Sequence, residues 1–103
     1  MRDVRFVVIH RPGPRWQPGL PISAQAGVQD HAAHYRNLLE AGQLDFGGPF
    51  LDEAAGGMMV PVAGLSEEEI RVIAMSDPSV QSGLLTVEVR PWLIGIQRGP
   101  APG

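Results

Sequence analysis

The chain contains no cysteine and no lysine. The first absence removes disulfides, thiolate nucleophiles and thiolate metal sites. The second removes Schiff-base chemistry and any lysine base. Aromatic residues make up only 6% of 103 positions, and no pair of them falls on a central strand as an RNA-stacking platform would need. No apolar run approaches the ~18–20 residues that span a bilayer. The opening MRDVRFVVIH is basic and then apolar, but it is too short for a leader and lacks a cleavage site. It is expected to be a strand of a cytoplasmic protein. The net charge of −3 offers no basic face, so neither nucleic acid nor membrane is expected as a partner. For acid–base chemistry there remain His10, His31, His34, Tyr35 and the carboxylates.

A chain of this length forms one domain with a modest core, here placed at residues 1–94 with a flexible tail at 95–103. Residues 4–10 (VRFVVIH) read as a first strand, apolar on both faces and therefore covered on both. Residues 11–22 (RPGPRWQPGLPI) hold four prolines and two glycines, which exclude helix and central strand. This loop is either a lid or a surface flap. Arg15 gives it a charge for an anionic substrate and Trp16 an aromatic contact.

A helix is expected to begin between Ser23, a possible N-cap, and Gly27, and to end at Ala41-Gly42. Its stripe Val28, His31, Ala32, Tyr35, Leu38, Leu39 follows the i, i+3, i+4, i+7 spacing of a packed face. His31 therefore stands where a leucine would ordinarily go. A second strand follows at 43–46, running into Gly47-Gly48-Pro49, where the backbone can approach a neighbour closely. The segment 52–57 is a turn and 57–62 a third strand.

Ser66-Glu67-Glu68-Glu69 is a capping box, and Leu65 with Ile70 forms the matching hydrophobic staple. The inward stripe of this second helix is Ile70, Ile73, Ala74, and the next position along it is Asp77, held at the helix end by Pro78. Residues 78–83 read as a turn and 84–94 as a half-buried last strand. The order βαββαβ is the ferredoxin-like α+β fold: one four-stranded antiparallel sheet with two helices on one face. A first strand apolar on both faces calls for a cover on the open side, and a second copy of the sheet supplies it. Pro49 and Pro91 fall in edge strands, whereas Pro61 falls in a central one and demands a bulge or a strand end.

The pattern of His31, Leu38-Leu39-Glu40-Ala41-Gly42, Gly48-Pro49, Ser76-Asp77-Pro78 and a closing strand through Pro91-Trp92 resembles the YCII-related proteins over residues 4–94. The resemblance implies a dimeric α+β barrel with a His–Asp pair, here His31 and Asp77, in a cleft. Most members have no established activity, while a few eliminate halide from chlorinated hydroxylated aromatics. The wider superfamily includes muconolactone isomerases and cofactor-free monooxygenases. The long loop at 11–22 departs from the shorter members.

The expected site thus has His31 as acid/base and Asp77 as its orienting partner. The alternative is a satisfied polar pair that pins two helices. His10, Arg15, Trp16, His34, Tyr35, Gly48 and Pro49 are candidates to contact substrate. The i, i+3 pair His31 and His34 lacks a third ligand, so no metal is expected, and no organic cofactor either. The implied activity is that of a lyase or isomerase on a small cyclic or aromatic-like compound. A non-catalytic ligand-binding or regulatory module is the other reading.

Overall fold

The structure, a computed structural model, describes residues 3–99. Four strands, β1 (Val4–Pro12), β2 (Leu44–Pro49), β3 (Gly57–Pro61) and β4 (Leu85–Leu93), form one antiparallel sheet in the order β2-β3-β1-β4. Helix α1 (Val28–Glu40) joins β1 to β2, and α2 (Glu67–Met75) with the short α3 (Pro78–Ser82) joins β3 to β4. This is the expected ferredoxin-like α+β topology.

The register explains the core. Val8 lies opposite Met59 on one side and Val89 on the other, so these three share the face that α2 covers. There Val8, Ile70, Ala74 and Val89 form the buried cluster, with Phe6, Met59, Leu65, Ile73 and Val87 packed around it. The capping box is formed: Glu69 N–H donates to the Ser66 hydroxyl at 3.1 Å, and Ser66 N–H donates to the Glu69 carboxylate at 2.7 Å. The prolines sit where a sheet tolerates them. Pro49 and Pro91 are in the edge strands, and Pro61 ends β3 opposite a bulge between Leu44 and Phe46.

Four expectations are corrected. β1 continues through Arg11 and Pro12, paired with Thr86 and Leu85. Because β3 pairs with β1 only as far as His10 and Gly57, Pro12 has a strand on one side alone and its missing N–H leaves no gap. Ser23 is not the cap of α1 but lies in a 3₁₀ turn over Ile22–Ala24; Gly27, with φ 91°, takes the N-cap position. Residues 78–83 are not a turn, since Asp77 caps α3 through Ser79 N–H and Pro78 occupies its first position. On the stripe of α1, only His31 and Tyr35 are buried, and Leu39 is 51% exposed. Of the expected flexible tail, residues 95–99 carry no strand or helix, and 100–103 lie outside the described residues.

The proline-rich segment is a built loop. Gly13 N–H and Arg15 N–H bond the carbonyls of Leu84 and Gly83, both at 2.9 Å. Buried Gln25 then holds the far side. Its amide donates to the carbonyls of Gln17 at 2.8 Å and Leu20 at 3.0 Å, and its oxygen accepts from Gln17 N–H at 2.9 Å. No helix among the described residues is long and apolar enough to cross a membrane.

Candidate active site

The site lies on the helical face of the sheet, where α1 approaches β2 and β3. His31 and Tyr35 are one turn apart on α1, so both rings leave the same side of the helix. His10 projects from the end of β1 on the sheet face that carries Val8. Asp77 arrives from the junction of α2 and α3, fully buried.

His31 Nδ1 and Asp77 Oδ2 are 2.6 Å apart. The carboxylate's other oxygen accepts from both the N–H and the hydroxyl of Ser79, each at 2.9 Å. With a carboxylate at Nδ1, the proton of neutral His31 belongs on that nitrogen and the lone pair on Nε2. Burial alone would raise the Asp77 carboxyl. The bonds from His31 and Ser79, together with the charge on His31, outweigh it and hold the group below the usual carboxylate range.

His10 completes the cluster. Its Nε2 is 3.3 Å from the Tyr35 hydroxyl and 3.7 Å from Asp77 Oδ2, while its Nδ1 is buried without a partner among the described residues. Burial, and next the charge of His31, lower its pKa to about 4 against the opposing pull of Asp77. The three rings of His10, His31 and Tyr35 meet edge to face with centroids 4.9, 5.3 and 5.5 Å apart.

A cleft of about 410 Å³ opens beside these rings, within the ~300–1,000 Å³ range of small-molecule sites. His10, His31 and Tyr35 line its floor, and Val28, Ala32, Leu39, Leu44, Met59 and Leu85 give it apolar walls. Gly47, Gly48 and Pro49 form its β2 side. The glycines matter locally for close packing. A Cβ at Gly47 would collide with Met59, and one at Gly56, whose φ is +79°, would collide with the His10 carbonyl; at Gly48 nothing stands within 4 Å.

Sequence candidates thus divide in two. His10, His31, Tyr35, Gly48 and Pro49 border the cleft, and Asp77 stands behind His31. His34 is turned toward α2, its Nε2 donating to the Ile73 carbonyl at 2.8 Å. Arg15 is exposed on the β4 side of the loop. Trp16 lines a separate hollow with Pro18, Leu20, Phe50 and Leu51 that shares only Ile22 and Gly56 with the cleft. Ser79 escaped the sequence reading, although Asp-Pro-Ser is a legible helix start and marks Ser79 N–H as a partner for Asp77.

His10, His31 and Asp77 are the one group among the described residues whose donor atoms lie close enough, within 4.8 Å, to share a cation. The 2.6 Å between Nδ1 and Oδ2 is a hydrogen-bond distance. Two ligands of a zinc-like ion, each at ~2.0–2.1 Å, would stand roughly 3 Å or more apart.

No family model and no curated protein matches the chain. A solved structure does: the 5-chloro-2-hydroxyhydroquinone dehydrochlorinase of Burkholderia phenoliruptrix AC1100, in complex with 2,5-dihydroxybenzoquinone. The likeness has a TM-score of 0.55 at 26% identity and covers 84% of this chain and 92% of that one. The two chains share a fold. It is the ferredoxin-like α+β fold, and the likeness supports the dimeric α+β barrel superfamily.

Proposed function

We propose that this protein is an enzyme of lyase or isomerase type, related to the YCII-like proteins, that acts on a small hydroxylated or oxo-substituted ring. The observation that carries the reading is the 2.6 Å His31–Asp77 bond at the floor of an apolar cleft. Asp77 fixes the tautomer and orientation of the ring, and His31 Nε2 is the base. His31 takes a proton from a substrate hydroxyl or from a carbon beside a carbonyl. The electron pair left behind moves into the ring. In an elimination it forms the new double bond as the leaving group departs with its own bonding pair. In an isomerisation the proton returns at another carbon. Neither step needs a redox cofactor. The dehydrochlorinase named above supports the class, since it shares the fold and its structure holds a dihydroxybenzoquinone.

The open face of the sheet supports a homodimer. There Val7 and Val60 are buried, while Phe46 and Trp92 remain 62% and 43% exposed, a mixture that a second sheet would cover. Light scattering tests this directly; a monomer at micromolar concentration removes the barrel from the proposal.

The test of the chemistry is His31→Gln. Incubated with chlorinated and hydroxylated hydroquinones, the wild type should consume substrate, and the variant should lose activity by a factor of about 100–10,000 while melting at the same temperature. Full turnover in the variant ends the reading. Tight binding with no conversion by the wild type, weakened in the variant, would instead make this a ligand-binding or regulatory module.

A further inference from the structure

We infer that Tyr35 is the donor that holds a negatively charged substrate oxygen in the cleft, and that His10 is the positioning residue that turns its hydroxyl toward it. This rests on the reading of His31 as base and adds the substrate's second point of attachment.

The argument starts from the two nitrogens of His10. Nε2 faces two oxygens, the Tyr35 hydroxyl at 3.3 Å and the Asp77 carboxylate at 3.7 Å, while Nδ1 faces no partner among the described residues. A proton on Nδ1 would bury a donor with nothing to receive it and aim a lone pair at an anion. A proton on Nε2 meets both oxygens favourably and leaves only a bare acceptor nitrogen in the interior. The Nε2–H tautomer is therefore the stable one.

That choice decides what Tyr35 can do. Its oxygen accepts from His10 Nε2–H, so its own O–H cannot point back at His10. The ring lines the cleft beside His31, with centroids 5.3 Å apart, and the O–H is left to donate into that space. Burial, and next Asp77, push the phenol above its ordinary range, so it stays a neutral donor. His10, lowered to about 4, likewise stays neutral and adds no charge that a bound anion would need to balance.

The pair defines a substrate. Beside the position that His31 deprotonates, the ring must carry an oxygen that is or becomes negative, as in a phenolate, an enolate or a hydroxyquinone anion. A hydrocarbon ring or an amine-bearing one has nothing for Tyr35 to hold.

Two measurements test this. Nitrogen-edited NMR of the histidine side chains reads the tautomer without substrate, and His10 should appear as Nε2–H. A His10 Nδ1–H signal overturns the inference, because the Tyr35 hydroxyl would then be donating to His10. The second is titration with 2,5-dihydroxybenzoquinone, followed by its own visible absorbance. Tyr35→Phe and His10→Leu should each weaken binding about tenfold or more, the cost of one hydrogen bond to a charged group. His10→Gln, which keeps an N–H at similar reach, should lose much less. Equal affinity in the wild type and Tyr35→Phe overturns the role of Tyr35, and no binding to the wild type overturns the substrate class. If these results stand while His31→Gln keeps full turnover, the base assignment falls and the Tyr35 donor survives. Melting curves identify any variant that fails to fold, and Tyr35→Phe with the NMR result then decides alone.

Discussion

On the open face of the sheet, Arg5 makes four bonds. Its guanidinium meets both oxygens of Asp3 at 2.7 and 3.2 Å, Asp45 at 2.7 Å and the Pro61 carbonyl at 2.9 Å. It thereby ties β1 to the end of β3 and to the bulge of β2. On the helical face, His10, His31, Tyr35, Ser79 and Asp77 form a cluster of similar burial that is left incomplete. Among the described residues, His10 Nδ1 has no partner and His31 bonds through Nδ1 alone. The first arrangement gives each guanidinium nitrogen a carboxylate or carbonyl partner and ties three strands together. The second keeps unused hydrogen-bonding capacity next to an apolar hollow, which is what binding and proton transfer require. Burial alone does not distinguish the two clusters; the partnering of their nitrogens does.

The sharpest way to break this comparison is to exchange the effects of the two clusters. Asp77→Asn should cut turnover by about a thousandfold, since it removes the charge that orients His31, as measured by initial rates. Arg5→Met should leave turnover within a few-fold of the wild type and instead lower the unfolding free energy by about 3–5 kcal/mol, because Asp3 is then buried without its partner. Urea titration reads that loss. If Arg5→Met abolished activity in a folded protein, the division between the clusters would fail.

A smaller effect comes from pH. The folded pKa of His10, about 4, lies below the ordinary ~6.5. The unfolded chain therefore binds the extra proton first as the medium acidifies. The contribution of neutral His10 is complete above roughly pH 6.5 and fades as pH falls toward 4, by about 3 kcal/mol in all. Melting curves at pH 7 and pH 4.5 should show that slope in the wild type and a shallower one in His10→Gln. An equal slope in both proteins would assign it to some other group.

The smallest effect lies outside both clusters. Ser66→Ala removes the capping hydroxyl and should cost about 1 kcal/mol, or about 4–8 °C in a domain of this size, with turnover and quinone binding unchanged. A loss of binding in that variant would mean that α2 carries strain to the cleft through Asp77.

Legibility in the sequence followed the range of the interactions. The capping box, the staple and the alternation of β4 involve neighbours within a few residues, and each was readable from the one-dimensional pattern. The tolerance of Pro49, Pro61 and Pro91 followed once the strand order was assumed. What escaped were contacts between distant segments. Pro12 could join β1 only because β3 stops short of it, and the proline-rich loop is held by Gln25, which no local signal marks. Arg15 and Trp16 were natural guesses for a site beside that loop. With the loop tied to Gly83 and Leu84, Arg15 is exposed and Trp16 lines a separate hollow.

The amino-acid order by itself determined the succession of helices and strands, the capping box of α2, the alternation of β4, and that a histidine and an aspartate occupy inward positions. Those are consequences of backbone geometry and periodicity, which act over one or two turns. Only the tertiary structure decided that His10, 21 positions before His31, would stand against Tyr35 and leave one nitrogen bare. Such an arrangement depends on strand register and helix placement together, and neither is written in any short stretch of the chain.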